Sequence, residues 1–139
     1  MIGLCKDLYL VNRSITGNGV RTSLQIIRDN GVPLEIFDVP SGTKVFDWVI
    51  PPEWNIDNAY VVDLKTGARV IDIDNHNLHV MSYSRPIDKV MTFSELEKNL
   101  YYIESMPTAI PYTTSYYKRQ WGFCLSYNDY KCLDRESKY

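Results

Sequence analysis

Two hydrophobic periodicities alternate along this chain, and the places where one gives way to the other mark its elements. Leu4, Leu8 and Val11 recur at spacings of four and three, which predicts a short amphipathic helix running into Tyr9. The loop Ser14-Ile15-Thr16-Gly17-Asn18-Gly19 is built of turn formers, and either Thr16 or Asn18 is placed to cap the helix that follows. That helix is written in Val20, Leu24 and Ile27, with Ile26 widening the apolar stripe. Asn30-Gly31 supplies its left-handed stop and Pro33 prevents continuation. Residues 34–39 then alternate as a strand, closed by Pro40-Ser41-Gly42.

Beyond residue 42 the period shortens. Trp48 and Trp54 flank Ile50-Pro51-Pro52-Glu53, which fits neither a helix interior nor a central strand. Tyr60, Val62 and Leu64 alternate, Lys65-Thr66-Gly67 turns, and residues 68–73 return with β-branched side chains, the signature of a hairpin. Residues 79–83 read as another short strand, closed by Arg85-Pro86. Thr92 with Glu95 three residues on forms a capping box for a short helix whose apolar face is Phe93, Leu96 and Leu100. Residues 122–125 suit a strand or a helix start, and Ser126 caps a short helix through Tyr130 to Leu133.

Composition narrows the class. Of 139 residues 45% are hydrophobic and 23% charged, which excludes a disordered tail, a collagen-like repeat and a low-complexity linker. No apolar run is long enough for a helix to span a bilayer. A net charge of −2 gives no electrostatic reason to expect nucleic acid or an anionic membrane as partner. The three cysteines, Cys5, Cys124 and Cys132, form no CxxC pair, and the opening residues lack a signal peptide, so the expected location is cytoplasmic with reduced thiols.

Candidate chemistry is sparse. Asp72, Asp74 and His76 would share one face if the strand ran that far, with His79 close by, and carboxylate with imidazole is a legitimate ligand set. Neither a HExxH helix nor a calcium-loop glycine accompanies them, so a solvated strand end is the preferred reading and no metal site is assigned. The Gly17-Asn18-Gly19 turn lacks the ending of a phosphate-binding loop. No GxSxG elbow is present, and His76 and His79 are the sole histidines, so no catalytic residue is assigned either. Aromatics are another matter. Ten of the eleven tyrosines lie beyond residue 59, and the group from Tyr112 to Trp121 is dense enough to form a binding surface.

Several segments together resemble a bacterial family of aminopeptidase-like proteins linked with polysaccharide-biosynthesis loci. They are Asn12-Arg13-Ser14-Ile15-Thr16-Gly17-Asn18-Gly19-Val20-Arg21, Val39-Pro40-Ser41-Gly42-Thr43-Lys44-Val45-Phe46-Asp47-Trp48 and Pro51-Pro52-Glu53-Trp54-Asn55-Ile56. Asn77-Leu78-His79-Val80, Ile110-Pro111-Tyr112-Thr113-Thr114-Ser115-Tyr116-Tyr117 and Trp121-Gly122-Phe123-Cys124 follow in the same order. The resemblance implies an α+β chain: the helical N-terminal part of a zinc-exopeptidase-like α/β domain plus a small antiparallel β-rich insert of unknown function. Residues 1–42 would be the N-terminal part of the aminopeptidase-like domain, 43–120 the insert, and 121–139 a return segment, truncated. Larger members also carry a winged-helix segment.

In that family the zinc-binding residues lie in a His-x-Cys-His-Pro type of segment, which this sequence does not contain. Zinc is therefore expected in full-length relatives and no cofactor in this chain, which would act as an N-terminal fragment supplying scaffold and one wall of a cleft, without catalysing alone. Its partner would be the remainder of the aminopeptidase-like domain, with a peptide or saccharide as the ligand. Tyr116, Tyr117 and Trp121 are the candidate ligand-binding residues. Thr113 stands where relatives often carry Arg before Thr-Ser-Tyr-Tyr, and a threonine cannot make the bidentate contact an arginine makes to an anion. The alternative reading is a β-rich module that binds a saccharide or a protein in polysaccharide biosynthesis.

Overall fold

In a computed structural model, which describes residues 2–9 and 11–139, the chain is α+β and divides into two compact units, Met1–Ile56 and Asp57–Tyr139. Residues 43–56 group with the helices before them, and residues 121–139 share a core with the hairpin at 60–72.

The first unit holds helix α1 (Ile2–Tyr9), helix α2 (Asn18–Asp29) and a small hairpin, β1 (Lys44–Val45) with β2 (Trp48–Val49). The helices appear where the periodicity places them. Their cap does not. Neither Thr16 nor Asn18 caps α2 with its side chain. The N-cap is Gly17, at φ 108°, and the Asn18 backbone N–H is instead accepted by Asn55 Oδ1 at 2.7 Å. Thr16 donates its hydroxyl to the Pro52 carbonyl at 3.2 Å, and Arg21 forms a two-pronged ion pair with Glu53. Two segments remote in sequence, 12–21 and 51–56, are thus one local structure.

Glycine is obligatory at that junction. A Cβ on Gly17 would intrude on the Trp54 carbonyl oxygen and come within 2.9 Å of Asn55 Oδ1. One on Gly19 would meet the Asn12 carbonyl and lie 2.8 Å from Arg13 Cα. Such contacts sit inside van der Waals distance of backbone that cannot retreat.

Residues 34–39 belong to no strand, contrary to the alternation. A strand is defined by a neighbour's hydrogen bonds, and this segment has Phe37 at 75% exposure and Val39 at 53%. Among the described residues 2–56 the one fully buried apolar side chain is Pro51, so the first unit has no extended core of its own.

The second unit has a closed core. Strands β3 (Tyr60–Asp63) and β4 (Ala68–Asp72) pair antiparallel as expected, with a bulge between Val61 and Val62. The buried face is Val61 and Asp63, opposite to that of Tyr60, Val62 and Leu64. Asp63 tolerates burial because its carboxylate accepts the Ser137 hydroxyl and the Lys65 N–H, the latter at 2.9 Å. On the outer face Tyr60 carries the Arg69 guanidinium 4.0 Å above its ring.

Thr92 and Glu95 form the expected capping box: the Glu95 carboxylate accepts the Thr92 N–H at 2.9 Å and its hydroxyl at 3.0 Å. Helix α3 (Phe93–Leu96) and a 3₁₀ turn, Glu97–Asn99, follow, and Phe93, Leu96 and Leu100 are all buried. Strand β5 (Leu100–Tyr101) then pairs with β6 (Phe123–Cys124). The pairing is parallel and makes residues 102–122 a crossover. Helix α4 (Tyr127–Cys132) begins at Ser126, whose hydroxyl accepts the Asp129 N–H at 3.1 Å. Beyond it, Tyr139 exchanges backbone hydrogen bonds with Met91 at 2.8 and 2.9 Å, and its ring joins the core beside Phe93.

Candidate functional site

The crossover between β5 and β6 is where side chains of interest gather. Segment 80–85 runs beneath it and is not the regular strand read at 79–83. It opens with a 3₁₀ turn at Asn77–His79 and continues as isolated bridges, Val80 to Phe123 and Ser82 to Thr114. Ser82 donates its N–H to the Thr113 carbonyl and accepts the Ser115 N–H, both at 3.0 Å. The Ser84 hydroxyl donates to the Met81 carbonyl at 2.7 Å and accepts the Gly122 N–H at 3.2 Å. The loop is therefore anchored to the core at both ends.

Upon this base stand four tyrosines. Tyr83 and Tyr116 meet edge to face at 5.0 Å, and Tyr116 and Tyr117 at 6.5 Å. The Tyr112 and Tyr116 hydroxyls are 3.5 Å apart, and Tyr112 raises the pKa of Tyr116 above the usual phenol value, with burial adding to the effect. Tyr112 and Tyr117 are 58% and 66% exposed. Tyr83 adopts φ 66°, a left-handed conformation rare for a bulky side chain and held here by the bonds on either side of it.

Of the three residues picked out in the sequence, Tyr116 and Tyr117 belong to this cluster. Trp121 lies in the hydrophobic core at 9% exposure, edge-on to Phe123 at 6.3 Å. Tyr83 escaped the sequence reading because its membership depends on backbone handedness, which leaves no trace in residue spacing.

The acidic and histidine cluster has other employment. Asp72 accepts the Asp74 N–H at 3.0 Å and the Arg69 guanidinium at 2.9 Å, and these hold its carboxyl below the ordinary range. His76 Nδ1 accepts the Leu78 N–H at 3.1 Å, and burial followed by the neighbouring His79 lowers its pKa. His79 Nδ1 donates to the Cys124 carbonyl at 2.7 Å. Among the described residues no three His, Cys, Asp or Glu side chains gather to hold an ion, so the residues present do not fit a zinc centre. Cys124 is fully buried, donates weakly to the Thr113 hydroxyl at 3.4 Å and has its thiol pKa pushed up by burial, the opposite of an activated nucleophile. Thr113 thus faces the interior through Cys124. No described helix is long and apolar enough to cross a membrane.

Comparison with known proteins agrees with this architecture. A curated protein of Clostridium acetobutylicum, named "Putative polysaccharide biosynthesis protein with aminopeptidase-like domain", is 54% identical over 127 residues, covering 91% of this chain and 29% of that protein. A crystal structure of a "putative peptidase" from the same organism superposes with a TM-score of 0.91 at 51% identity, over 98% of this chain and 32% of the other. The chain thus spans about a third of the length of the relatives it matches. The model of the family described as "Domain of unknown function (DUF2172)" matches residues 53–139, which take in the whole of the second unit and the four residues before it, and the chain belongs to that family.

Proposed function

We propose that this chain is the framework portion of a longer aminopeptidase-like protein of the cytoplasm, acting in polysaccharide biosynthesis, and that it does not hydrolyse peptides alone. The observation that carries this reading is the uncovered apolar side of the first unit. Helices α1 and α2 pair with each other, yet Ile2, Tyr9, Ile36, Phe37 and Val39 stay exposed. Exposed apolar area on this scale marks a surface that another polypeptide covers. The supporting comparison is the length of the relatives, each about three times that of the chain.

In this reading the first unit is part of a zinc-exopeptidase-like α/β domain, and segment 34–39 is a sheet strand whose neighbours come from further polypeptide. Zinc would be held there, not by Asp72, His76 or His79. The role of the present residues is to fix the framework: the Gly17–Asn55 junction aims α2, and Arg21 with Glu53 holds the loop beneath it.

Hydrolysis of aminoacyl chromogenic substrates with added Zn²⁺ tests the proposal, comparing this chain with the full-length Clostridium relative. The expected result is turnover by the relative and none by the 139-residue chain. Turnover by the chain itself would overturn it. A solvatochromic dye for apolar surface should also bind this chain more strongly, mole for mole, than the relative.

A further inference from the structure

We propose that the surface where Arg85 meets residues 118–120 is a binding site for an acidic oligosaccharide, with Arg85 and Arg119 taking its carboxylates and Lys118 adding positive charge. That the ligand is an anion rests on these side chains alone. That the anion is carried on a sugar rests on the polysaccharide-biosynthesis reading, and neither part uses the peptidase-like framework.

The chain has seven arginines, and five of them are occupied. Arg13 donates to the Leu8 carbonyl and Arg28 to the Gln25 side chain, while Arg21, Arg69 and Arg135 each donate to a carboxylate. The two left over are Arg85 and Arg119. Among the described residues their side chains have no hydrogen bond, ion pair or ring contact, and neither does that of Lys118. All three residues are exposed.

The fold brings these unpaired cations to one place. The Arg85 N–H donates to the Gln120 carbonyl at 2.9 Å, which sets Arg85 against the turn that carries Lys118 and Arg119. That turn is tied down, since the Lys118 carbonyl accepts the Gln120 N–H at 2.9 Å and the Ser115 hydroxyl at 2.6 Å. Like charges gathered in this way repel one another, and stability alone would favour a carboxylate among them. Yet no Asp or Glu occurs in residues 75–87 or 105–128. Elsewhere twelve Lys and Arg are outnumbered by seventeen Asp and Glu, so a positive surface stands on an otherwise acidic chain.

A guanidinium holds a carboxylate by two parallel N–H···O bonds, which an ammonium cannot do. Two arginines on a fixed backbone therefore suit a ligand that repeats its carboxylates, and a short polyuronate carries one on every sugar ring. Because the backbone is already braced, binding orders side chains alone and costs less entropy than ordering a loop. The same cations would suit a phosphate backbone. The sugar is chosen because the relative 54% identical to this chain is named for polysaccharide biosynthesis, and nucleic acid becomes an outcome of the test.

The test is a titration of the 139-residue chain with tetragalacturonate, and with maltotetraose as its neutral counterpart, followed by calorimetry and NMR amide shifts. The expected result is saturable binding of tetragalacturonate at low salt, with a Kd of roughly 0.1–1 mM, and none of maltotetraose. Arg85→Gln and Arg119→Gln should each weaken binding by about tenfold, and raising the salt to about 0.5 M should weaken it as well. Both side chains lack a partner among the described residues, and an unchanged thermal midpoint will verify that the variants are folded. Arg28→Gln, at an exposed site of the first unit, should leave binding as it is. Absence of saturable binding at about 10 mM would overturn the proposal, and so would binding indifferent to both Arg85→Gln and Arg119→Gln. Equal binding of maltotetraose would overturn the anion, and tighter binding of inorganic phosphate or of an oligothymidylate would overturn the sugar. Each of these outcomes is separate from the hydrolysis assay that decides the framework reading.

Discussion

Asn55 Oδ1 accepts the backbone N–H of Asn18 at 2.7 Å across thirty-seven positions of sequence. The first turn of α2 is therefore satisfied from outside, and the preceding Gly17 is released to adopt a conformation that no other residue takes comfortably. Replacing Asn55 with Ala should destabilise the first unit by about 1 kcal/mol, the usual worth of a lost cap. Faster amide exchange over residues 18–21, with exchange in 57–139 unchanged, would confirm it, because the two units are separately compact.

Gly17→Ala and Gly19→Ala should cost more, about 2 kcal/mol or above each, since the new methyl meets backbone and Gly17 also has positive φ. Limited proteolysis will read this as new cleavage around residues 12–20. A variant that melts like the parent would mean that the loop yields, and that the 12–21 and 51–56 segments are less tightly joined than their geometry indicates.

Acid should loosen the second unit. Asp63 is held below its ordinary value of 3.8 by the Ser137 hydroxyl first and the Lys65 N–H next. Asp134, bonded by Lys65, and Glu95, bonded by Thr92, are lowered in the same sense. A depressed carboxylate contributes stability that is present in full above the unfolded-state pKa and is lost as pH falls through the folded one. Urea midpoints should thus hold steady down to about pH 4 and drop below it. Asp63→Asn should shallow that drop, and an equally steep acid limb in the variant would assign the effect elsewhere.

At the alkaline end Tyr130 should behave differently from its neighbours. Its hydroxyl donates to Glu97, and that carboxylate with Tyr102 pushes its pKa up to about 12. The raised value means a stabilising contribution complete below the free phenol pKa and lost as pH rises through the folded one. In a tyrosinate absorbance titration, Tyr130→Phe should remove a component from the latest part of the curve. Loss of an early component would contradict the assignment.

Arg135 sits 4.2 Å from the centre of the Phe93 ring and 4.5 Å from that of Tyr130, while donating to Glu97 at 3.1 Å. The planar guanidinium suits this stacked, hydrogen-bonded position and an ammonium does not. Arg135→Lys should therefore lower stability by about 1 kcal/mol, measured by thermal unfolding. Full tolerance of lysine would reduce the contact to simple charge.

The parts of the fold that could be read in advance are those decided within one turn or one hairpin. Val20, Leu24 and Ile27 announce α2, Thr92 with Glu95 announces α3, and Lys65-Thr66-Gly67 announces its hairpin. What escaped depends on residues far apart. The cap on Asn18 comes from Asn55, β5 finds β6 across the crossover, and residues 34–39 have the alternation of a strand but no neighbour to make them one. Which face of β3 is buried depends on a remote residue too: Asp63 is rendered compatible with the interior by Ser137, which periodicity in a single segment cannot register. At the candidate site, Tyr116 and Tyr117 were visible as a local run, whereas the core location of Trp121 reflects its packing with Phe123.

The core that starts at Val61 is closed only when Tyr139 has taken its place beside Phe93. At about 5–20 residues per second, the stretch from the end of α2 to Tyr139 takes on the order of ten seconds to leave a ribosome. Through that interval the apolar side chains of Ile2, Ile15 and Phe37, exposed even in the folded unit, stand in water on nascent chain, the state that ribosome-bound chaperones shield.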